Sequence, residues 1–205
     1  MVAETAELST PAARAARLAA LDAPHMHRLN AYCRGLRDLS QDVPWFDPFD
    51  GGEHASVLIL LERPARRGEH PRFVSRDNPS PTQRNLKRSL EQAGLKRSAT
   101  LIWNVVPWLP SPGTKRNRQP SAGELEEGFD RLAPLLQILK NLRLVVLAGR
   151  SASRARIVVS RAGPDLIVLE MPHPSPVHVN TDPTIRERLD ACLRQAASFA
   201  QLSRR

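Results

Sequence analysis

The chain has 205 residues, and its 30 lysines and arginines outnumber its 21 aspartates and glutamates, which gives a formal net charge of +9. This length is sufficient for one α/β domain with a full core, and the positive charge favours a polyanionic partner such as nucleic acid. The predominance of arginine over lysine among these positive charges can also come from the coding composition of a genome. An apolar run of spanning length and a signal peptide are both missing, so we expect a cytoplasmic monomer with no membrane partner.

The first 55 residues predict two helices and a loop. Ser9 or Thr10 can cap a helix that has Pro11 in its first turn, and a second helical segment runs from about His25 to Leu39. We expect residues 1–55 to pack on the rest of a single domain formed by residues 1–205.

Four apolar runs predict buried strands, at residues 56–61, 100–103, 144–147 and 166–169. Helical segments separate these runs. Because strands that alternate with helices form parallel sheets covered on both faces, the expected fold class is α/β, a three-layer α/β/α architecture with a central four-stranded, mainly parallel sheet.

The predicted helices have recognisable ends. One begins at Ser80-Pro81 and stops at Gly94, and the next begins with a capping box at Ser121 and contains Pro134, where we expect a kink. Ser151 is expected to cap a short helix, and residues 181–202 form the last one.

A histidine follows the fourth strand in a proline-rich loop, Met171-Pro172-His173-Pro174-Ser175-Pro176-Val177-His178. Ligands of open α/β sheets bind beyond the carboxyl ends of strands, and prolines would hold His173 and Ser175 in place at low entropic cost. The same stretch is also typical of an exposed proline-rich turn. The segment alone does not distinguish the two interpretations.

Polar and basic loops also follow the first two strands. The first contains Glu62-Arg63-Pro64-Ala65-Arg66-Arg67-Gly68, and the second begins Asn104-Val105-Val106-Pro107-Trp108. Neither has the repeated glycines of a phosphate-binding loop, which argues against a mononucleotide enzyme. We expect these loops and the His173 loop to converge at one end of the sheet.

The order of these motifs resembles that of the uracil-DNA glycosylase superfamily over roughly residues 43–200. Leu61-Glu62-Arg63-Pro64-Ala65 looks like its first active-site motif, Asn104-Val105-Val106-Pro107-Trp108 like the motif whose Asn reads uracil, and His173-Pro174-Ser175-Pro176-Val177 like its last motif. Phe73 is spaced like the aromatic residue that stacks on the base. The sequence of residues 145–152 resembles that of the superfamily branch that carries an iron-sulfur cluster.

The chemistry of these residues fits base excision, which requires flipping the base and stabilising both a cationic sugar and an anionic leaving base. The Asn104 carboxamide can accept from uracil N3–H and donate to O4, His173 can donate to O2, and Phe73 offers a stacking face. The alternatives are that Asn104 caps a turn and that Phe73 belongs to the core.

The sequence departs from the family pattern at three positions. Arg63 stands where the most familiar branch has a water-orienting aspartate, Trp108 replaces a cluster cysteine, and Ala65 replaces a tyrosine that excludes thymine. Because Cys33 and Cys192 cannot ligate a cluster, we expect no cofactor and no metal.

The carboxylate that orients water must therefore come from another position. Asp77, a few residues after Phe73, is the first candidate and Glu62 the second. The alternative for Asp77 is an Asx-turn. The resemblance also places Glu62 and Arg63 beside the uracil.

Further residues are expected to contact DNA. Phosphates would be bound by basic loop residues and the Ser151 helix end, Val177 would enter the base stack, and His178 would lie beside it. The full set is Arg63, Arg66, Arg67, Arg84, Lys115, Arg116, Arg118, Arg150, Ser151, Ser175, Val177 and His178. Individually, each charge can also be ordinary solvated surface.

The resemblance implies a uracil-DNA glycosylase that hydrolyses the N-glycosidic bond of uracil in DNA. Two alternatives remain open: a lesion-binding protein of the same fold without turnover, which Arg63 suggests, and a basic nucleic-acid-binding module whose loops only follow phosphates. Catalytic turnover distinguishes the glycosylase from both alternatives.

Overall fold

Two helices precede the sheets. The computed structural model describes residues 7–39, 41–65, 72–111, 113 and 118–202. Helix α1 spans Pro11–Ala19, and the Thr10 hydroxyl caps it by accepting from the Ala13 N–H. Helix α2 spans His27–Asp38 after a short 3-10 turn. Both predicted helices are confirmed, with Thr10 as the cap of the first.

The strands form two sheets. A small sheet pairs β1 (Trp45–Phe46) with β3 (Phe73–Val74) in parallel. The central sheet has the order β4-β2-β5-β6 with every pair parallel. Its strands are β2 (Val57–Leu61), β4 (Thr100–Asn104), β5 (Leu144–Ala148) and β6 (Ile167–Met171). The four predicted central strands are confirmed, but the expected burial of the fourth is wrong: β6 lies at the edge of the sheet and only Met171 in it is buried. The two-residue strands β1 and β3 were not predicted.

Six more α-helices follow in the described part of the chain. They are α3 (Pro81–Gln92), α4 (Ala122–Ile138), α5 (Arg150–Ser153), α6 (Arg156–Ala162), α7 (Pro176–Val179) and α8 (Pro183–Leu202). Helix α4 contacts both α2 and α6, and these three helices form one group. A second group consists of α3, α7 and α8. Helices α6 and α8 both pack on β6 but belong to different groups, as expected when the two groups cover opposite faces of the sheet. The α/β/α architecture is confirmed.

Burial explains why these runs form the central strands. Every residue of β2, β4 and β5 is buried, as expected for parallel strands covered on both faces. Beside β4, the Phe46 and Trp103 rings stack with centroids 3.6 Å apart. The hydrophobic core is therefore continuous between the small sheet and the central one.

The helix ends follow local chemistry. Ser121 and Glu124 form the predicted capping box at the start of α4. Helix α5 differs from the prediction, because Gly149 occupies its cap position and Ser151 lies inside the helix.

No helix in the described ranges is long and apolar enough to cross a membrane.

Candidate active site

Strands β2 and β5 are neighbours in the central sheet, and the space beyond their carboxyl ends is called the crevice below. The chain leaves β2 towards β4 on one side and leaves β5 towards β6 on the other. Connections that diverge in this way leave an opening at the carboxyl ends of the two strands, where ligands of open α/β sheets bind. The topology thus places a candidate site at the ends of β2 and β5.

The strand register brings the predicted loops to this site. Leu61 pairs with Asn104, and Ala148 pairs with Met171, so the loops after all four strands begin at nearly the same level. The backbone pairing continues past β2, where the Val106 N–H donates to the Glu62 carbonyl at 3.0 Å. Convergence of the loops at one end of the sheet is confirmed.

Glu62 lies in the crevice itself. Its Oε2 accepts a hydrogen bond of 2.6 Å from the Ser151 hydroxyl, which belongs to α5 directly after β5. This bond joins the two sides of the opening and restricts the orientation of the carboxylate. Ser151, predicted as a helix cap, therefore has a different local role.

His173 is partly buried and electrostatically coupled to the same carboxylate. Burial lowers the pKa of His173, an effect that Glu62 opposes and His178 reinforces. A lowered pKa keeps the imidazole neutral at neutral pH, and a neutral imidazole still carries one N–H donor. His173 can therefore donate to an oxygen on which negative charge develops.

Two contacts fix the His173 loop. Gly149 has φ +82°, and a Cβ built on it would lie 2.8 Å from the His173 Cβ, so only glycine permits this close approach. On the other side, Asn85 Nδ2 in α3 donates to the Pro174 carbonyl at 3.1 Å. The sequence reasoning missed both positioning residues, although a glycine between a strand and a helix is a signal for Gly149.

Asn104 ends β4 next to Glu62. The residue is only 2 % exposed, and its carboxamide hydrogen-bonds to none of the described residues. Buried polar groups are nearly always hydrogen-bonded, so an amide in this state is available to a ligand. This observation argues against the alternative that Asn104 caps a turn.

Phe73 is buried but does not belong to the contiguous hydrophobic core, whereas its neighbour Val74 does. Adjacent residues of a strand point to opposite faces. The Phe73 carbonyl accepts from Asn78 Nδ2 at 2.8 Å, which holds the segment after β3 in a turn. The alternative that Phe73 is part of the contiguous core is therefore not supported, and its stacking on a base stays a prediction.

Asp77 lies in a buried ion cluster. Its carboxylate pairs with Arg17 Nη2 at 2.5 Å, Arg97 Nη1 at 2.6 Å and Lys87 Nζ at 2.8 Å. Burial opposes ionisation, but Arg97 and Lys87 outweigh it and lower the pKa of Asp77. Every oxygen of this carboxylate is already occupied by a cation.

The cluster is also at the wrong end of the sheet for a catalytic role. Arg97 directly precedes β4, and Arg76 beside Asp77 donates to the Thr100 hydroxyl at the first residue of that strand. Asn104 is four residues further, roughly 13 Å along a strand. The expectation that Asp77 orients water therefore disagrees with its placement, and Glu62 becomes the better candidate.

Arg63 is held by an acidic residue of α4. Its Nη2 donates to Glu124 Oε1 at 2.7 Å, and Arg118 Nη2 binds both Glu124 oxygens at 2.9 Å. Although burial opposes it, the Ser121 backbone N–H and the two arginines lower the pKa of Glu124 to about 2. Glu124 was recognised in the sequence only as half of a capping box.

The other residues expected to contact DNA differ in placement. Arg84 and Arg150 are exposed, and Arg84 pairs with Glu7 at 3.1 Å. Val177 is 69 % exposed in α7. His178 beside it is exposed, and Ser175 occupies the cap position of α7 without a side-chain cap bond. Four predicted residues lie outside the described ranges: Arg66, Arg67, Lys115 and Arg116.

The thiols do not fit an iron-sulfur cluster. Cys33 is buried in α2 and Cys192 in α8, and these helices belong to opposite layers. Such clusters are held by four ligands, usually thiolates. Trp108 is 8 % exposed and packs in the core. It stands where the iron-sulfur branch has a cluster cysteine.

Comparison with known proteins adds a family assignment. The protein-family model of the uracil DNA glycosylase superfamily matches residues 48–197 of the sequence. This range includes Glu62, Phe73, Asn104 and His173, and it excludes helices α1 and α2. No curated protein is similar enough to the chain to count as a match.

Proposed function

Because the chain belongs to the uracil DNA glycosylase superfamily, we propose that it is a uracil-DNA glycosylase, which hydrolyses the N-glycosidic bond of uracil in DNA to begin base excision repair. The observation that carries the proposal is Asn104, which is 2 % exposed and whose carboxamide has no hydrogen bond to the described residues, at the edge that also holds Glu62 and His173. An amide at a largely buried position discriminates against bases of the wrong donor and acceptor pattern, because mismatched polar groups would stay unpaired.

The proposed reaction assigns one task to each residue. Asn104 accepts from N3–H of a flipped uracil and donates to its O4, while Phe73 stacks on the ring. As the glycosidic bond lengthens, negative charge collects on the base, and the N–H of neutral His173 donates to uracil O2.

The sugar becomes cationic in the same step. The carboxylate of Glu62, oriented by Ser151, stabilises that cation, orients the water that attacks the sugar carbon and accepts the proton that this water loses, while uracil leaves as an anion. Val177 enters the space that the flipped nucleotide leaves. No step in this scheme uses Asp77.

The test is a cleavage assay on a duplex with a single uracil, followed by alkali treatment. We expect strand breakage at the uracil and none in the matched duplex with thymine or cytosine at that position. Absence of cleavage under single-turnover conditions, with protein in excess, would contradict the proposal.

A second candidate function is a lesion-binding protein without turnover. It is favoured by Arg63, a cation held by Glu124 where the most familiar branch has a carboxylate. This protein would bind the uracil duplex selectively and leave the glycosidic bond intact. A binding measurement beside the cleavage assay distinguishes the two functions.

A further inference from the structure

Arg63 has hydrogen-bond donors that the protein does not use. Its side chain is only 8 % exposed, and Nη2 is engaged by Glu124. The Nε and Nη1 groups are buried and pair with none of the described residues. A guanidinium with unpartnered buried N–H groups is costly unless a ligand completes it.

The position of these donors is constrained. Glu124 is fixed at the start of α4 by the capping box, since its Oε2 accepts from the Ser121 N–H at 2.7 Å. It therefore restricts the guanidinium that it binds. Arg63 comes two residues after the end of β2, so its side chain starts at the edge of the sheet that also holds Glu62.

The charges around Arg63 favour an anion as the ligand. Glu124 is shared between Arg63 and Arg118, so the three side chains retain one positive charge. A neutral base would leave that charge uncompensated, whereas a phosphodiester carries a full negative charge and matches the geometry of a guanidinium.

We propose that Arg63, oriented by Glu124, binds a backbone phosphate of DNA next to the target nucleotide. This inference rests on the proposed function, because it requires DNA in the crevice. It also gives a reason for arginine at a position where the family resemblance led us to expect a carboxylate: the residue binds the strand and leaves the sugar to Glu62.

The test measures binding to a duplex that contains 2′-fluoro-2′-deoxyuridine, which resists cleavage. Each phosphate flanking this nucleotide is replaced in turn by an uncharged methylphosphonate. We expect wild-type protein to lose at least about tenfold in affinity at one linkage, the scale of one charged hydrogen bond.

The variant Arg63→Gln should bind the fully charged duplex about as weakly and should not respond to the same methylphosphonate. The matched control is Arg161→Gln, which removes one charge from an exposed residue at the end of α6. It should behave like wild type across the linkages.

Two results would overturn the proposal. One is that Arg63→Gln responds to every linkage as wild type does. The other is that no flanking linkage affects wild-type binding, a result that needs no variant to fold. If wild type shows no preference for uracil over thymine in DNA and no cleavage, the proposed function fails instead, and the linkage series still reports separately on the phosphate.

Discussion

Single residues divide the chemistry of the site between three functional groups. Asn104 supplies an amide, Glu62 a carboxylate and His173 a neutral imidazole, each at the end of a different strand or its loop. Substituting them one at a time should therefore affect different quantities.

His173→Ala should lower the single-turnover excision rate at least about a hundredfold, the scale of losing one transition-state donor. DNA affinity should change little, because the donor acts as charge develops. Burial also lowers the pKa of His173 below its ordinary value of 6.5, so the wild-type rate should persist below that pH. Near wild-type turnover of the variant would remove His173 from the mechanism.

Asn104→Asp should weaken uracil excision and admit cytosine, because the new side chain presents a different set of donors and acceptors. Excision rates on uracil and cytosine duplexes measure this change. Asn141→Asp, at an exposed position before β5, is the matched control and should leave both rates unchanged. Unaltered uracil activity of Asn104→Asp would show that the residue does not read the base.

Glu62→Gln and Asp77→Asn should have opposite profiles. Glu62→Gln should slow excision with little change in stability, since it removes the charge beside the sugar. Asp77→Asn should instead lower the free energy of unfolding by about 3 kcal/mol or more, because it removes from the buried cluster the carboxylate that binds Arg17, Arg97 and Lys87 together. Rates on folded protein and denaturant unfolding distinguish them, and slow excision by a stable Asp77→Asn would return the catalytic role to Asp77.

At the scale of elements, helix α1 is joined to the domain by a buried charge. Arg17 is 0 % exposed and binds Asp47 at 3.1 Å as well as Asp77, while the Leu8 N–H donates to the Asp77 carbonyl at 2.8 Å. These contacts hold the segment after Phe73. Helix α1 lies outside the matched family range and still supports a residue of the site.

Arg17→Met should therefore destabilise the protein by about 3 kcal/mol or more, as expected when one partner of a buried ion pair is removed. Arg14→Met, a partly buried position of the same helix, controls for the loss of an arginine and should cost less. Thermal or denaturant unfolding measures both. Equal stability of the two variants would show that the cluster does not anchor α1.

At the scale of the whole molecule, the net charge of +9 is available to a partner. The buried cluster combines four cations, Arg17, Arg76, Lys87 and Arg97, with three carboxylates, Asp47, Asp50 and Asp77. It therefore accounts for only one unit of positive charge. The remaining excess belongs to the rest of the chain.

DNA binding should consequently weaken steeply as salt increases, because phosphate contacts release counterions. The measurement is the dissociation constant for one duplex over a series of salt concentrations, plotted on logarithmic axes. A linear decrease in affinity is expected for both uracil and thymine duplexes. A flat dependence would count against phosphate contacts as the main source of affinity.

The amino-acid sequence by itself determined the central sheet and the content of its carboxyl edge. The four apolar runs are long enough to predict strands, and parallel strands end at one edge, so Glu62, Asn104 and the His173 loop could be assigned to it in advance. Local patterns were sufficient because each of these features depends on residues close together in the chain.

Tertiary structure alone decided the partners of the charged and polar side chains. Strands β1 and β3 are two residues long and show no periodicity. Asp77 meets Arg17 across 60 positions, and Ser151 meets Glu62 across 89. Hydrophobic periodicity reports which face of an element is buried but carries no information on which distant ion or hydroxyl lies opposite. The choice between Asp77 and Glu62 therefore depended on packing.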